Sequence, residues 1–271
     1  MTDPAHLLTR LGEYLAFTPD AIRPAEVSVL CDLTPDEAYL TLLADRLGIE
    51  CPDLLRGIVR RHDPAVYEAD AYFRAVRPAP DATAAIDLVT ETIAPMELFI
   101  ADDFQPDDAG RILPRLGWFD RAFTYPAIRE DERVWMTVTP NEINTIQPAV
   151  RQSRGKVLTF GLGLGYYAFH CLLKEDVTSV TVVERSREVI DLFRRLILPS
   201  FPRQADLHIV QADAFDYAAH VMPREGFDTV FTDLWRDVAD GIPLYLRMKA
   251  LEVPGPTYLY WMEKTLQACM D

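Results

Sequence analysis

The stretch that most restricts how this chain can fold is Lys156–Glu184, KVLTFGLGLGYYAFHCLLKEDVTSVTVVE. Val157, Leu158 and Phe160 form a short apolar run of the kind buried on both faces of a parallel sheet. Gly161-Leu162-Gly163-Leu164-Gly165 breaks that run. Tyr166 to Lys174 restores an apolar pattern long enough for a short helix, and Ser179 to Val183 is β-branched and strand-like. Strand, glycine turn, helix and strand predict a doubly wound α/β unit with a mostly parallel sheet. Glycines let the backbone come close to a ligand, and the amides of the following helix point at it. A carboxylate at the tip of the next strand accepts from two ribose hydroxyls, and Glu184 stands where that group belongs. The pattern therefore predicts a nucleotide site. Its spacing also excludes one class. A dinucleotide fingerprint, G-x-G-x-x-G, needs its third glycine at position 166, which is Tyr166.

Two more strand patterns follow. Leu207 to Val210 leads into Gln211-Ala212-Asp213-Ala214-Phe215, and Asp228 to Phe231 leads into Thr232-Asp233-Leu234-Trp235-Arg236-Asp237. Each ends in a polar residue at its carboxyl tip, where sheets of this kind bind ligands. Asp240-Gly241-Ile242-Pro243 introduces a helix, and Thr257 to Met270 reads as a strand and helix or as all helix. His170 and Cys171 fall inside the helix after the glycines and read as packing residues. His208 and His220 have no metal-ligand neighbour in the sequence. Tyr166, in the first turn, has two readings of equal weight, lining a pocket mouth or packing.

In order, VLTFGLGLG, VTVVE, QADAF and FDTVFTDLW resemble the motif set of class I S-adenosylmethionine-dependent methyltransferases, in the branch shared with spermidine synthases. The resemblance covers roughly Trp135 to Asp240 and implies a Rossmann-like domain binding S-adenosyl-L-methionine. It places the cofactor over Gly161, Leu162, Gly163 and Gly165, with Tyr166 and Arg185 beside it. Ribose falls on Glu184, adenine near Asp213 and Ala214, and the reacting end near Asp233. Asp233 and then Asp237 are the candidate catalytic carboxylates. Two positions depart from the pattern: Thr159 stands where most of these methyltransferases carry an acid, and Leu164 where spermidine synthases carry an aspartate. The chain also stops before the two further strands with which such a sheet normally continues. Another segment, such as the hairpin before Thr139, is then expected to cover that edge.

Residues 1–108 read as a helical N-terminal domain and 109–271 as the nucleotide-binding domain with a leading β-hairpin. Thr34-Pro35-Asp36-Glu37 is a capping box with proline at the first helical position, and Gly48 is the stop. Asp63-Pro64 opens a second helix, and Asp81 a third running through Ala85, Ile86, Val89 and Ile93. Arg111 to Gly117 reads as a loop or edge strand. Phe123–Ile128 and Arg133–Val138 read as a hairpin across a charged turn, and Thr139-Pro140-Asn141-Glu142 repeats the capping signature. The resemblance makes Trp135, Thr137, Asn141 and Glu142 pocket candidates, while the residues alone favour Glu142 as a cap.

A formal charge of −15 argues against nucleic acid or anionic membrane as a partner, because phosphate binding needs a cationic surface. Cys31, Cys51, Cys171 and Cys269 are scattered without C-x-x-C, which points to free thiols in a reducing compartment. With no apolar leader and no membrane-length run, a cytoplasmic protein is expected. The expected activity is methyl transfer to a small-molecule acceptor. The alternatives are an aminopropyl transferase of the spermidine synthase type and a non-catalytic S-adenosylmethionine-binding protein. The N-terminal helices offer a surface for homo-oligomerisation.

Overall fold

The computed structural model describes residues 4–17, 21–49, 53–77, 81–82, 86–106, 112–130 and 133–270. The chain divides into two compact units, one of Met1–Tyr67 with Thr92–Thr124 and one of Glu68–Glu91 with Tyr125–Asp271. The division does not fall at a single point near residue 108, because Glu68–Glu91 leaves the first unit and returns. The first unit is not wholly helical either.

In the first unit the predicted helix is Pro35–Leu47. The Thr34 hydroxyl accepts from the Glu37 amide, and Gly48 closes the helix in the left-handed region at φ 66°. Its buried face carries Tyr39, Leu43 and Leu47. Tyr39 stacks on Trp118 at 4.3 Å between ring centres, and its hydroxyl donates to the Met96 carbonyl. Ile112–Phe119, expected as a loop or edge, is instead the middle strand of three, between Val59–His62 and Phe99–Pro106. Gly117 suits that central place. A Cβ there would meet the rings of His62 and Phe99 at 2.7 Å, so a close-packed neighbour, not a turn, explains the glycine.

The second unit opens with two short helices rather than one long one, Pro64–Glu68, shared with the end of the first unit, and Ala71–Ala75. The helix expected from Asp81 is instead a strand, Asp87–Ile93, preceded by the two-residue strand Asp81–Ala82; Ala85 lies outside the described residues. These two strands and the predicted hairpin, Phe123–Glu130 with Arg133–Thr137, make a four-stranded sheet in chain order. The hairpin does not extend the parallel sheet, as a cover for its edge would have required. Next comes the helix Pro140–Gln152, capped by Thr139 with Glu142 reaching back.

The parallel sheet and its helices then form the expected α/β, Rossmann-like, doubly wound fold. Its strands are β1 (Gly155–Phe160), β2 (Val177–Glu184), β3 (Leu207–Gln211), β4 (Thr229–Thr232) and β5 (Thr257–Tyr260). All neighbours are parallel, in the order β3-β2-β1-β4-β5. The helices after the first four strands are α1 (Tyr166–Leu172), α2 (Arg187–Leu196), α3 (Ala214–His220) and α4 (Val238–Lys249). Helix α4 starts five residues before Pro243, because Asp237 caps it. The apolar strands Val157, Leu158, Val180, Val182, Val230 and Phe231 form the buried layer.

Candidate functional site

The sheet register sets the site. Phe160 lies opposite Val183 and Thr232, Gln211 opposite Glu184, and Thr232 opposite Tyr260. The ladder runs one residue further: Gly161 N bonds to Val183 O, Ala212 N to Glu184 O, Asp233 N to Phe160 O and Trp261 N to Thr232 O. Five chain exits therefore leave the sheet side by side. The chain order reverses at β1, the switch point at which such sheets open a crevice. A cavity of about 1080 Å³ lies there.

The turn after β1 needs its glycines for different reasons. At Gly161, φ is 97° and a Cβ would stand 2.1 Å from the Asp233 carbonyl oxygen, so the turn and the β4 exit pack backbone to backbone. At Gly163, φ is 52° and a Cβ would meet nothing within 4 Å, which leaves that backbone open to a ligand. Glu184 is buried, and its two oxygens receive the amides of Leu162 at 3.2 Å and Ser186 at 2.8 Å. Each oxygen keeps acceptor capacity for a ligand hydroxyl. Asp213 caps α3, accepting from the Phe215 and Asp216 amides through one oxygen.

Of the residues predicted to hold the cofactor, Gly161, Leu162, Gly163, Gly165, Tyr166, Glu184, Arg185, Asp213, Ala214 and Asp233 all line this cavity. Asp237 does not. Its carboxylate accepts from the Ala239 and Asp240 amides at the start of α4, so the helix cap uses it, and Asp240 lines the cavity instead. Trp135, Thr137 and Glu142 line it; Asn141 does not, and its buried amide nitrogen has no partner among the described residues. Tyr166 fulfils both readings at once. It borders the cavity while its ring packs against Tyr72 and His170. Cys171 is buried packing as expected, and burial pushes its thiol up to about 11.

Glu142 is both a cap and a member of the site. Thr139 N donates to it at 3.1 Å. Loss of hydration pushes its carboxyl up to about 8, with the charge of Asp233 adding to the push and bonds from Thr137 and Thr139 opposing it. Asp233, with no hydrogen-bonding side-chain partner among the described residues, is pushed up to about 7 by burial. Two buried carboxyls raised toward neutrality in one cavity lining are a recurrent arrangement in acid–base sites.

Sequence reasoning found Trp135 but missed two further tryptophans, Trp235 and Trp261, which also line the cavity. Trp235 and Trp261 follow the tips of β4 and β5, so the strand-tip rule applied to aromatic as well as acidic residues would have found them. Trp261 Nε1 donates to Thr145 Oγ1 at 2.8 Å, which ties the β5 exit to the helix Pro140–Gln152. The indole nitrogen of Trp235 is buried without a partner among the described residues.

The sheet order, the glycine turn after β1 and the acid at the β2 tip define a Rossmann-like, doubly wound α/β fold. No protein-family model matches the sequence, and no curated protein matches it. Among solved structures, the spermidine synthase of Thermotoga maritima matches at 18% identity with a TM-score of 0.33, over 44% of this chain and 44% of that one. The O-methyltransferase of Bacillus cereus, solved in complex with SAH, matches at 18% identity with a TM-score of 0.32, over 43% of this chain and 53% of that one. Each match spans about half or less of the solved protein. The fold assignment rests on the strand order and register described above.

Proposed function

We propose that this protein is an S-adenosylmethionine-dependent transferase that delivers a methyl group to a small-molecule acceptor. One observation carries the reading: the exits of successive strands bring Gly163, Glu184, Asp213 and Asp233 to one cavity. The residues suit that cofactor. An open glycine backbone, a carboxylate with spare acceptor capacity and a cavity volume of about 1080 Å³ leave room for a nucleoside and a second small molecule.

In this reading Glu184 holds the ribose hydroxyls, and Asp213 with Ala214 borders the base. When bound, the cofactor supplies a methyl carbon that is already electrophilic, so most of the work left to the chain is placement. Trp135, Trp235, Trp261 and Leu244 supply apolar walls for the acceptor. Asp233, pushed up to about 7 by burial, takes a proton from the acceptor's nucleophilic atom or orients it, and its charge adds to the rise of Glu142 in the same cavity.

Aminopropyl transfer is the second reading. It is favoured by the lining acids Glu130 and Asp240, which would attract a cationic acceptor, against the guanidinium groups of Arg133, Arg185 and Arg236 in the same lining. Weighing against it, Leu164 is buried and brings no charge to the turn. Titration calorimetry and thermal melting with S-adenosylmethionine, its demethylated product, decarboxylated S-adenosylmethionine and NAD separate the readings. The first two are expected to bind and raise the melting temperature, as ligands of the native state do. Stabilisation by NAD alone would overturn the proposal, and preference for the decarboxylated form would move it to aminopropyl transfer.

A further inference from the structure

The segment Glu68–Glu91 precedes the nucleotide domain by many residues yet belongs to the same compact unit. Its helix Ala71–Ala75 lies behind the glycine turn. The Tyr72 hydroxyl, on a ring with no exposed surface, donates to the Leu164 carbonyl inside the turn at 2.7 Å. Asp70 caps this helix through the Tyr72 amide at 2.8 Å. The same carboxylate receives the Tyr166 hydroxyl at 2.9 Å and lies 3.0 Å from His170 Nε2. Tyr166 in turn accepts from Gln147 Nε2 at 2.8 Å. The Tyr72 ring meets Tyr166 and Phe169 edge to face, both at 5.4 Å between centres. Asp70 and His170 side chains are only 14% and 12% exposed. Burial works against the Asp70 charge, but bonds from His170, Tyr72 and Tyr166 outweigh it and hold the carboxyl below its ordinary value.

Resting on the nucleotide reading above, we infer that Asp70 and Tyr72 are positioning residues for the cofactor turn. They act as a strut from outside the Rossmann-like domain that fixes the Leu164 carbonyl and the first turn of α1. The argument is one of constraint. A turn with three glycines, at 161, 163 and 165, all in the left-handed region, has little stiffness of its own. Neither Leu162 nor Leu164 offers a polar side chain to brace it. Tyr72 pins its backbone between Gly163 and Gly165, and Asp70 pins the ring of the residue that follows. Neither residue lines the cavity, so both act through the turn. Preorganising a binding loop in this way strengthens binding by removing the cost of ordering it.

The test uses the full chain with Tyr72→Phe and Asp70→Asn, which keep volume and remove the bonds. Binding of S-adenosylmethionine and its demethylated product is measured well below the melting temperature, together with hydrogen exchange of the unliganded protein. Both variants are expected to weaken both nucleosides by roughly three- to tenfold, the factor for one lost hydrogen bond. They should also speed exchange at the amides of Gly163–Ala168 while leaving β3 unchanged. A merely structural role would lower the melting temperature and leave the affinity of the folded protein as it was. Wild-type affinity and wild-type turn exchange in both variants would overturn the inference. The exchange measurement needs no ligand, so wild-type protein that binds neither nucleoside sinks the nucleotide reading, while turn exchange still decides the strut.

Discussion

At the scale of single residues, the site depends on carboxylates that differ in surroundings rather than in type. Glu184 is held by two backbone amides, Asp213 by two others, and Asp233 by none. Removing Glu184 therefore has two effects, losing acceptors for a ligand and freeing the amide of Leu162 in the turn. Glu184→Ala is expected to weaken S-adenosylmethionine binding by about 2–4 kcal/mol, from one or two hydrogen bonds to a charged group. Calorimetry on folded protein checks this, and unchanged affinity would place the ribose elsewhere. These acids were legible in the sequence because each stands at the end of a strand or within two residues after it. Glu142 was only half legible. Its capping signature is local and visible at once, whereas its place in the cavity wall depends on a helix packing beside a sheet assembled from later residues. Asp237 misled for the converse reason: its spacing from Asp233 looked catalytic, but the start of α4 needed a cap.

At the scale of elements, caps and strand tips account for most of the site's geometry. Asp237→Ala should cost about 1 kcal/mol of stability, as lost N-caps do, and leave nucleoside affinity at the wild-type value. Urea unfolding beside calorimetry tests both halves, and a large affinity loss without a stability loss would restore Asp237 to the site. The elements of the parallel sheet were readable because fully buried strands are short, apolar and closed by turn residues. Asp87–Ile93 was not. Ile86, Val89 and Ile93 satisfy helical spacing, yet Val89, Thr90, Thr92 and Ile93 are β-branched, and pairing with the neighbouring strand decides the outcome. Ile112–Phe119 was misread because Pro114 and Gly117 usually mark edges. Here the glycine makes space for two rings.

At the scale of the whole molecule, acidity is the dominant property. A net charge of −15 disfavours the compact state as pH rises, and the cavity adds to this. Asp233 and Glu142 sit in the folded protein near 7 and 8, above their unfolded values of about 4. Between pH 5 and 8 the native state thus holds protons that the unfolded chain has released, so stability falls as pH rises through that window. The fall should be several kcal/mol, at about 1.4 kcal/mol per pH unit for each proton held, and should shrink in Asp233→Asn and Glu142→Gln. Urea unfolding at several pH values checks it, and equal slopes in all three proteins would remove the coupling. The contact between Gly161 and the Asp233 carbonyl has a consequence for how the protein is made. Residues Phe160 and Thr232 pair across most of the nucleotide domain's sequence, and only that pairing closes the turn against its partner backbone. Parallel pairings of this range form late, after the loop between them has been brought together. A nascent chain that has passed Glu184 already carries the glycines and that buried acid but not the wall they lean on. In the proposed reading, a ligand of the finished cavity therefore stabilises only chains whose central strands have already joined.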